Sequence, residues 1–232
     1  MTDKNNKEVY ITLRPGAVLK TLLFIALLFF VLHIGLQLSK FYGGPDKLLF
    51  FSNIFNVGEE STIPTWFSLL ILLMSAVICG FIAYTKYKRK ETYRMHWAFV
   101  GLVFLFLSID EVALMHEQII DAITRNDTSG GIGGWYIYAA VAVALVAIPL
   151  MRFWWQVPNK TKYLLVASAF VYLFGAVFLD VWGGNYVGQG FLHEGIIVGI
   201  EELFEMIGAC LFVYVLLDYA ATRNVSATVK IE

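Results

Sequence analysis

Carboxylate side chains interrupt two apolar stretches of this sequence, where they could bind protons or a metal ion. Asp110 and Glu111 lie in one stretch, and Glu201, Glu202 and Glu205 lie in another. Near the centre of a membrane span each carboxylate costs about 2.5–3.5 kcal/mol on insertion scales, and ionisable residues there usually face the protein interior. These five residues are therefore predicted to form a functional site rather than a lipid-facing surface.

Helical spacing arranges the acids in two stripes. At about 100° per residue, positions seven and eleven residues apart return to within roughly 40° of the same face. Two sets have this spacing: Asp110 with Glu117 and Asp121, and Glu194 with Glu201 and Glu205. If the two helices are antiparallel neighbours, we expect Asp110 level with Glu201. The pairs His116–Glu117 and His193–Glu194 are then expected to meet nearer the surface.

A third helix is expected to complete this site. Glu111 and Glu202 lie about a quarter-turn off their stripes, where a helix bearing Asp180 or His33 could reach them. His33 is expected to be a core histidine bonded to a backbone carbonyl, with a ligand role as the alternative. So many carboxylates cannot all stay ionised close together, so either some carry protons or a cation is bound.

The mixture of carboxylates and imidazoles predicts a divalent metal ion. Such ligands suit zinc, manganese or iron, whereas carboxylates alone suit calcium or magnesium. Carboxylate-rich helix bundles with two histidines are typical of di-iron and di-manganese sites, although the usual Glu-x-x-His spacing is absent here. The predicted general base is Glu111, Glu202 or His193. The predicted metal ligands are Asp110, His116, Glu117, Asp180, Glu194, Glu201 and Glu205.

The composition indicates an integral membrane protein. Of 232 residues, 59% are hydrophobic and 15% are charged, and the mean hydropathy is +0.69. Soluble domains contain about 45–50% apolar and about 25% charged residues. A net charge of -1 provides no basic surface for nucleic acid. These values exclude a soluble enzyme, a disordered regulator and a nucleic-acid binder.

Six stretches are long enough to cross the hydrocarbon core, which takes about 20 apolar residues. They are Val18–Leu38, Pro64–Thr85, Met95–Glu117, Trp135–Phe153, Lys162–Val181 and Gly195–Leu217. The predicted fold is an all-α polytopic membrane bundle of six transmembrane helices. The predicted divisions are a cytoplasmic N-terminal tail over 1–17, a transmembrane domain over 18–218 and a cytoplasmic C-terminal tail over 219–232.

Basic residues determine the predicted orientation, because cytoplasmic loops are enriched in Lys and Arg. All but three of the 17 Lys and Arg residues fall on the side of the two termini. The exceptions are Lys40, Lys47 and Arg125. Both termini are therefore predicted to be cytoplasmic, and the acidic site is predicted to open to the outer, periplasmic side.

Three segments resemble a family of uncharacterised bacterial multi-pass membrane proteins, whose members carry similar PTW, DE–HE and EE–EM–G segments. They are IPTWFS at Ile63–Ser68, SIDEVALMHE at Ser108–Glu117 and IEELFEMIGACLFVYVLL at Ile200–Leu217. The matching positions are Pro64, Trp66, Asp110, Glu111, His116, Glu117, Glu201, Glu202 and Glu205. The resemblance implies a location in the bacterial cytoplasmic membrane and brings no known activity. Intramembrane proteases of the CAAX-processing type are not favoured, because the arginine of their EExxxR motif is missing here.

Three classes of function are consistent with these residues. The first is a membrane-embedded metal-dependent enzyme acting on a lipid or an exported small molecule. The second is a cation or proton transporter, because intramembrane acids mark ion pathways, although the inner helix halves carry almost no ionisable groups. The third is a structural or sensory protein, which would not need so many carboxylates without basic partners. The expected partners are the lipid bilayer, a cation and a lipid or small-molecule substrate.

Overall fold

The computed structural model describes residues 13–44, 48–115, 118–119, 135–184, 190–223 and 225. Within these residues every regular element is a helix. The α-helices are α1 (Pro15–Gly43), α2 (Leu49–Phe55), α3 (Ile63–Lys88), α4 (Arg94–Ala113), α5 (Trp135–Trp154), α6 (Asn159–Leu173), α7 (Asp180–Gly184) and α8 (Phe191–Thr222). A π-helical turn, Phe174–Leu179, joins α6 to α7 without a break.

Four segments of the described chain are long and apolar enough to cross a membrane, so the predicted count of six is corrected. In helix α5 the side chains are described from Ala140 onward, and these form the apolar segment Ala140–Trp154. Helix α8 is long, but its glutamates and Asp218 limit its longest uncharged segment to residues 206–217. The four segments are Pro15–Gly43, Ile63–Lys88, Arg94–Ala113 and Asn159–Gly183.

The outward surfaces of these helices carry large apolar side chains. Phe24 is 68% exposed and Leu102 is 62% exposed, and Leu145 of α5 is 66% exposed. Extended apolar surfaces are rare on soluble monomers, whereas helices that satisfy their own backbone hydrogen bonds suit the hydrocarbon of a bilayer. The fold is therefore compatible with a membrane protein.

The long helices run up and down, and α8 packs against α1, α3 and α6. At one end of the bundle, Arg89 Nη1 donates to the Arg223 carbonyl at 3.1 Å, and Lys160 Nζ donates to the Asp218 carboxylate at 2.8 Å. We call this the basic end. The opposite end, where α1 stops and α8 starts, is called the acidic end.

Local capping explains the PTW segment. Thr62 precedes α3, and its Oγ1 accepts a hydrogen bond from the Thr65 backbone N–H at 3.5 Å. Pro64 lies in the first turn, where its missing N–H and its restricted φ favour a helix start. This segment therefore starts the helix that packs along α4.

The basic-end half of the bundle has a closed apolar core. The Trp97 ring lies 4.6 Å from the Tyr219 ring and 5.2 Å from the Phe153 ring, measured between centroids. Cys79 and Ile82 of α3 are fully buried in the same cluster. This core separates the acids of α4 and α8 from the basic end.

The loop between α3 and α4 carries an ion pair outside the spans. Lys86 Nζ donates to Glu91 Oε2 at 2.6 Å. This hydrogen bond lowers the pKa of the Glu91 carboxyl below its ordinary value. Because Glu91 is largely exposed, the pair contributes at most about 1 kcal/mol to stability.

Candidate acidic site

Two glycines bring α8 close to α1 and so position the first half of α8. A Cβ atom at Gly199 would lie 2.7 Å from His33 Cδ2, and one at Gly195 would lie 2.7 Å from Gln37 Cδ. Contacts this short leave no room for a side chain, so the two helices touch through the glycine backbone. Glu201 and Glu205 therefore lie on faces of α8 that are turned away from α1, whereas Glu202, seven residues after Gly195, lies on nearly the same face as the glycines.

His33 locks this contact with two hydrogen bonds. The Val57 backbone N–H donates to His33 Nδ1 at 3.3 Å, so Nδ1 is the acceptor nitrogen. His33 Nε2 then carries the proton and donates to the Gly195 carbonyl at 2.8 Å. His33 is thus a core histidine with both ring nitrogens bonded, as expected, and it is not placed as a metal ligand.

The π-helical turn lies directly against the glutamates of α8. A Cβ atom at Gly175 would lie 2.8 Å from the Glu201 carbonyl oxygen and 2.9 Å from Glu205 Cγ. One turn earlier, the backbone and Cβ of Tyr172 pack against Gly208 of α8. Single π-helical turns within α-helices occur frequently at functional sites.

Tyr172 is the residue on which the carboxylates converge. Its hydroxyl donates a hydrogen bond to the Glu205 carboxylate. It also interacts electrostatically with Glu111, Glu202 and Asp110. We call these five residues the Tyr172 site. The sequence reasoning missed Tyr172, and its only signal was a hydroxyl group in the middle of an otherwise apolar stretch.

The register of α4 and α8 explains which acids meet. The Phe104 and Phe212 rings are 4.9 Å apart, which aligns these two positions on antiparallel helices. Counting the same number of residues along each helix aligns Glu111 with Glu205. Glu111 does interact with Glu202 and Glu205. By the same count Asp110 lies level with Met206, about one and a half helical turns from Glu201, which differs from the expected pairing of Asp110 with Glu201.

The stripe predicted to continue from Asp110 does not follow a single helix. Helix α4 ends at Ala113, and Leu114 adopts a left-handed conformation with φ 49°. This change of direction means that positions beyond Leu114 cannot be projected from α4. The predicted ligands His116 and Glu117, and also Asp121, lie outside the described residues.

The remaining predicted residues lie nearer the acidic end. Asp180 is exposed at the start of α7 and interacts electrostatically with Glu201. His193 is exposed in the first turn of α8, and Glu194 is partly buried beside it. Glu201 belongs to both groups, because it interacts with Glu202 and Glu205 as well.

The predicted metal site is not seen among the residues that the structure describes. No group of three His, Cys, Asp or Glu side chains within those ranges has a geometry that could hold a metal ion. Glu111, Glu201, Glu202 and Glu205 nevertheless lie close enough to interact through their charges.

Comparison with known proteins identifies the family and no activity. No curated protein and no solved structure matches the chain significantly. One family model, Domain of unknown function (DUF8692), matches residues 21–220 and so includes the whole Tyr172 site. The chain therefore belongs to the family described as Domain of unknown function (DUF8692).

Proposed function

We propose that this protein is a membrane carrier that binds and releases protons at the Tyr172 site. The observation that carries the proposal is the approach of Glu111, Glu202 and Glu205 to one tyrosine from two different helices. Chains of carboxylates inside membrane proteins mark proton relays in pumps and transporters.

Electrostatic repulsion supports proton binding. Two carboxylates about 6 Å apart repel by roughly 3 kcal/mol at an effective dielectric constant of about 20. Three ionised carboxylates would then cost roughly 8 kcal/mol in total, which is comparable to the whole stability of a typical domain. No Lys or Arg occurs between Lys162 and Arg223 to offset this cost on α6 or α8. Bound protons remove the repulsion.

In this conformation the apolar core closes the proposed carrier towards the basic end. The cluster around Trp97 closes the bundle between the Tyr172 site and the basic end. Protons would therefore reach the site from the acidic end in this conformation, and release to the other side would require α8 to separate from that core. We further propose that the acidic end faces the outside of a bacterial cytoplasmic membrane and that the termini are cytoplasmic.

A divalent metal ion, of the zinc, manganese or iron type, is the second candidate occupant. It is favoured by the carboxylate oxygens on α4 and α8, because no Lys or Arg occurs at positions 95–124 or 163–222. A bound metal would make the site an enzyme centre for a lipid or an exported small molecule, with Glu111, Glu202 or His193 as general base. This second candidate lacks a three-ligand geometry within the described ranges.

Proton uptake and metal content of the purified protein separate these candidates. The wild type and the Glu202→Gln and Glu205→Gln variants are titrated in a weakly buffered detergent solution. We expect each substitution to reduce the proton uptake near neutral pH, because each removes a carboxyl group. Asp218→Asn is the matched control, since Asp218 pairs with Lys160 at the basic end. Unchanged uptake in both Gln variants, together with stoichiometric metal, would reject proton binding in favour of a metal centre.

A further inference from the structure

A shallow apolar groove runs along the outward face of α3 and ends beside a lysine. Its volume is about 360 Å³, and its lining consists of Val77, Gly80, Phe81 and Tyr84. The last three follow Val77 by three, four and seven residues, which is the spacing of one helix face. Lys88 continues this face one turn beyond Tyr84. The groove therefore leads from the apolar span to a positive charge.

Gly80 leaves the groove open. A Cβ atom at Gly80 would meet no atom of the described residues within 4 Å. Gly101 of α4 differs, because a Cβ there would lie 3.2 Å from Cys79 Cβ on the buried side of α3. A glycine within a helix costs about 1 kcal/mol relative to alanine. Close helix packing explains this cost at Gly101, whereas the space at Gly80 is left for a partner outside the described chain.

The groove lies within the apolar span and opens outward. Phe81 and Tyr84 are 50% and 58% exposed. The span runs from Ile63 to Lys88. At about 1.5 Å per residue, the stretch from Val77 to Tyr84 covers about 10 Å and stops about 6 Å before Lys88. An acyl chain is the ligand that matches an apolar groove open to the hydrocarbon at this depth.

Two cations are held beside the end of the groove. Lys88 Nζ lies over the Tyr84 ring, 5.5 Å from its centroid, and Arg94 Cζ lies over the Tyr87 ring at 5.2 Å. These cation–π contacts keep both charges close to the level at which the span ends. The N–H groups of lysine and arginine are the donors that phosphate oxygens accept most strongly in proteins.

The charge of the loop between α3 and α4 favours an anionic headgroup. Residues 86–94 contain five Lys and Arg residues and one acid, Glu91, so the excess is four positive charges. Glu91 pairs with Lys86 at 2.6 Å and lies 3.9 Å from Arg89. Clusters of about four to eight basic residues next to a membrane span are typical of sites for anionic lipids.

We propose that this groove and its two cations bind one anionic phospholipid, with an acyl chain along Gly80 and Phe81 and the phosphate at Lys88 and Arg94. A zwitterionic phospholipid has the same apolar chains but no net charge for the basic loop to attract, so the site selects anionic headgroups. The proposal does not rest on the proposed function, because none of these residues belongs to the Tyr172 site.

Native mass spectrometry of the full-length protein in a nonionic detergent tests the proposal, because it counts individual bound lipids. The probes are dioleoyl phosphatidylglycerol, which carries a net negative charge, and dioleoyl phosphatidylcholine, which carries none and has the same chains. We expect the first phosphatidylglycerol to bind about tenfold more tightly than the first phosphatidylcholine, which corresponds to roughly 1.4 kcal/mol. An excess of glycerol 3-phosphate, which has the phosphate without the chains, should not displace it.

Substitutions separate the contribution of the acyl chain from that of the headgroup. Gly80→Leu fills the groove and should weaken the binding of both lipids by a similar factor. Phe81→Ala removes one edge of the groove and should do the same, so the chain contact is tested even if Gly80→Leu does not fold. Lys88→Gln should weaken only phosphatidylglycerol, by about fivefold, since one basic residue near an anionic lipid surface contributes about 1 kcal/mol.

Matched controls lie elsewhere on the bundle. Lys162 Nζ lies over the Trp155 ring at 5.5 Å, so Lys162→Gln removes a similar cation away from this groove. Gly35 of α1 is exposed, and a Cβ there would meet nothing described within 4 Å, so Gly35→Leu adds the same side chain outside the groove. Both variants should bind the two lipids as the wild type does.

Three results would overturn the proposal. Equal affinity of the wild type for the two lipids would show that Lys88 and Arg94 hold no anionic headgroup. Equal losses in Lys88→Gln and Lys162→Gln would show that the basic end attracts anionic lipids without a defined site. A wild-type dimer that Gly80→Leu converts to a monomer would show that a second copy of the chain covers the groove.

Discussion

Replacing Gly175 by alanine tests the contact that holds the π-helical turn against the acidic site. The added Cβ would lie 2.8 Å from the Glu201 carbonyl oxygen, 2.9 Å from Glu205 Cγ and 3.0 Å from the Glu205 backbone nitrogen. Carbon atoms in good contact are about 3.5–4.0 Å apart. Since two of the three neighbours are backbone atoms, α8 itself must move by about 0.5–1 Å to accept the methyl group.

The energetic cost of Gly175→Ala is the balance of two effects. Overpacking of this kind usually costs about 1–3 kcal/mol. Replacing a helical glycine by alanine recovers about 0.5–1 kcal/mol through reduced chain entropy. We therefore expect a net loss of about 1–2 kcal/mol, which lowers Tm by about 2–8 °C for a chain of this size.

Gly80→Ala is the matched control for this substitution. Gly80 lies within α3, and a Cβ there would meet nothing within 4 Å. Only the entropic gain remains, so Tm should stay unchanged or rise slightly. Thermal unfolding in detergent, followed by tryptophan fluorescence, compares the two variants. If Gly175→Ala is as stable as Gly80→Ala, then α8 does not lie against the π-helical turn and the positioning of Glu201 and Glu205 is wrong.

Three further results are expected. His33→Phe should lower the unfolding free energy by about 1–3 kcal/mol in the same thermal assay, because it leaves the Gly195 carbonyl and the Val57 N–H without their partner. His193→Phe is the control and should leave the unfolding free energy unchanged, since His193 is exposed. Equal stability of the two variants would contradict the locking role of His33. Glu91→Gln should lower Tm slightly at neutral pH, because the Lys86 hydrogen bond favours the ionised Glu91 carboxyl. The Tm difference from wild type should disappear as the pH falls through the lowered pKa of Glu91. A Tm difference that persists in acid would refute this linkage. For the orientation, both native cysteines are replaced by serine and a single cysteine is added as Glu60→Cys or Lys90→Cys. In intact cells, a membrane-impermeant maleimide should label the first variant and not the second, because the basic end is proposed to be cytoplasmic. The reverse labelling would show the opposite orientation.

The sequence could indicate candidate site residues but not their arrangement in space. A carboxylate within an apolar stretch is costly, so Asp110, Glu111, Glu201, Glu202 and Glu205 could be singled out as candidates from their positions in the sequence alone. Small residues four apart, such as Gly195 and Gly199, also favour the close approach of two helices. Both inferences need only local sequence.

The partners of these residues could not be derived in the same way. The alignment of Glu111 with Glu205 depends on the packing of Phe104 on Phe212, which is a property of two helices and not of either alone. The left-handed turn at Leu114 and the π-helical turn at Phe174–Leu179 interrupt the regular period on which the stripes were projected. Tyr172 was missed because a single hydroxyl group in an apolar helix is most often explained by packing.

The number of spans shows the same limit. Apolar content alone made Gly195–Leu217 look like a sixth transmembrane helix, yet the glutamates that mark the site also shorten its uncharged segment. Helix α8 is instead held among α1, α3 and α6 along its length. A central helix surrounded by others can carry polar groups that a lipid-facing helix cannot, because its neighbours replace the lipid.

Infrared difference spectroscopy tests most directly whether the Tyr172 site holds protons. The C=O stretch of a protonated carboxyl group is recorded near neutral pH for the purified wild-type protein and three variants. The account predicts a protonated carboxyl band that Glu205→Gln removes, that Tyr172→Phe shifts through the lost hydrogen bond, and that Asp218→Asn leaves unchanged. A wild-type spectrum without any protonated carboxyl band would contradict the account, because the carboxylates would then all be ionised and a bound cation would have to balance them.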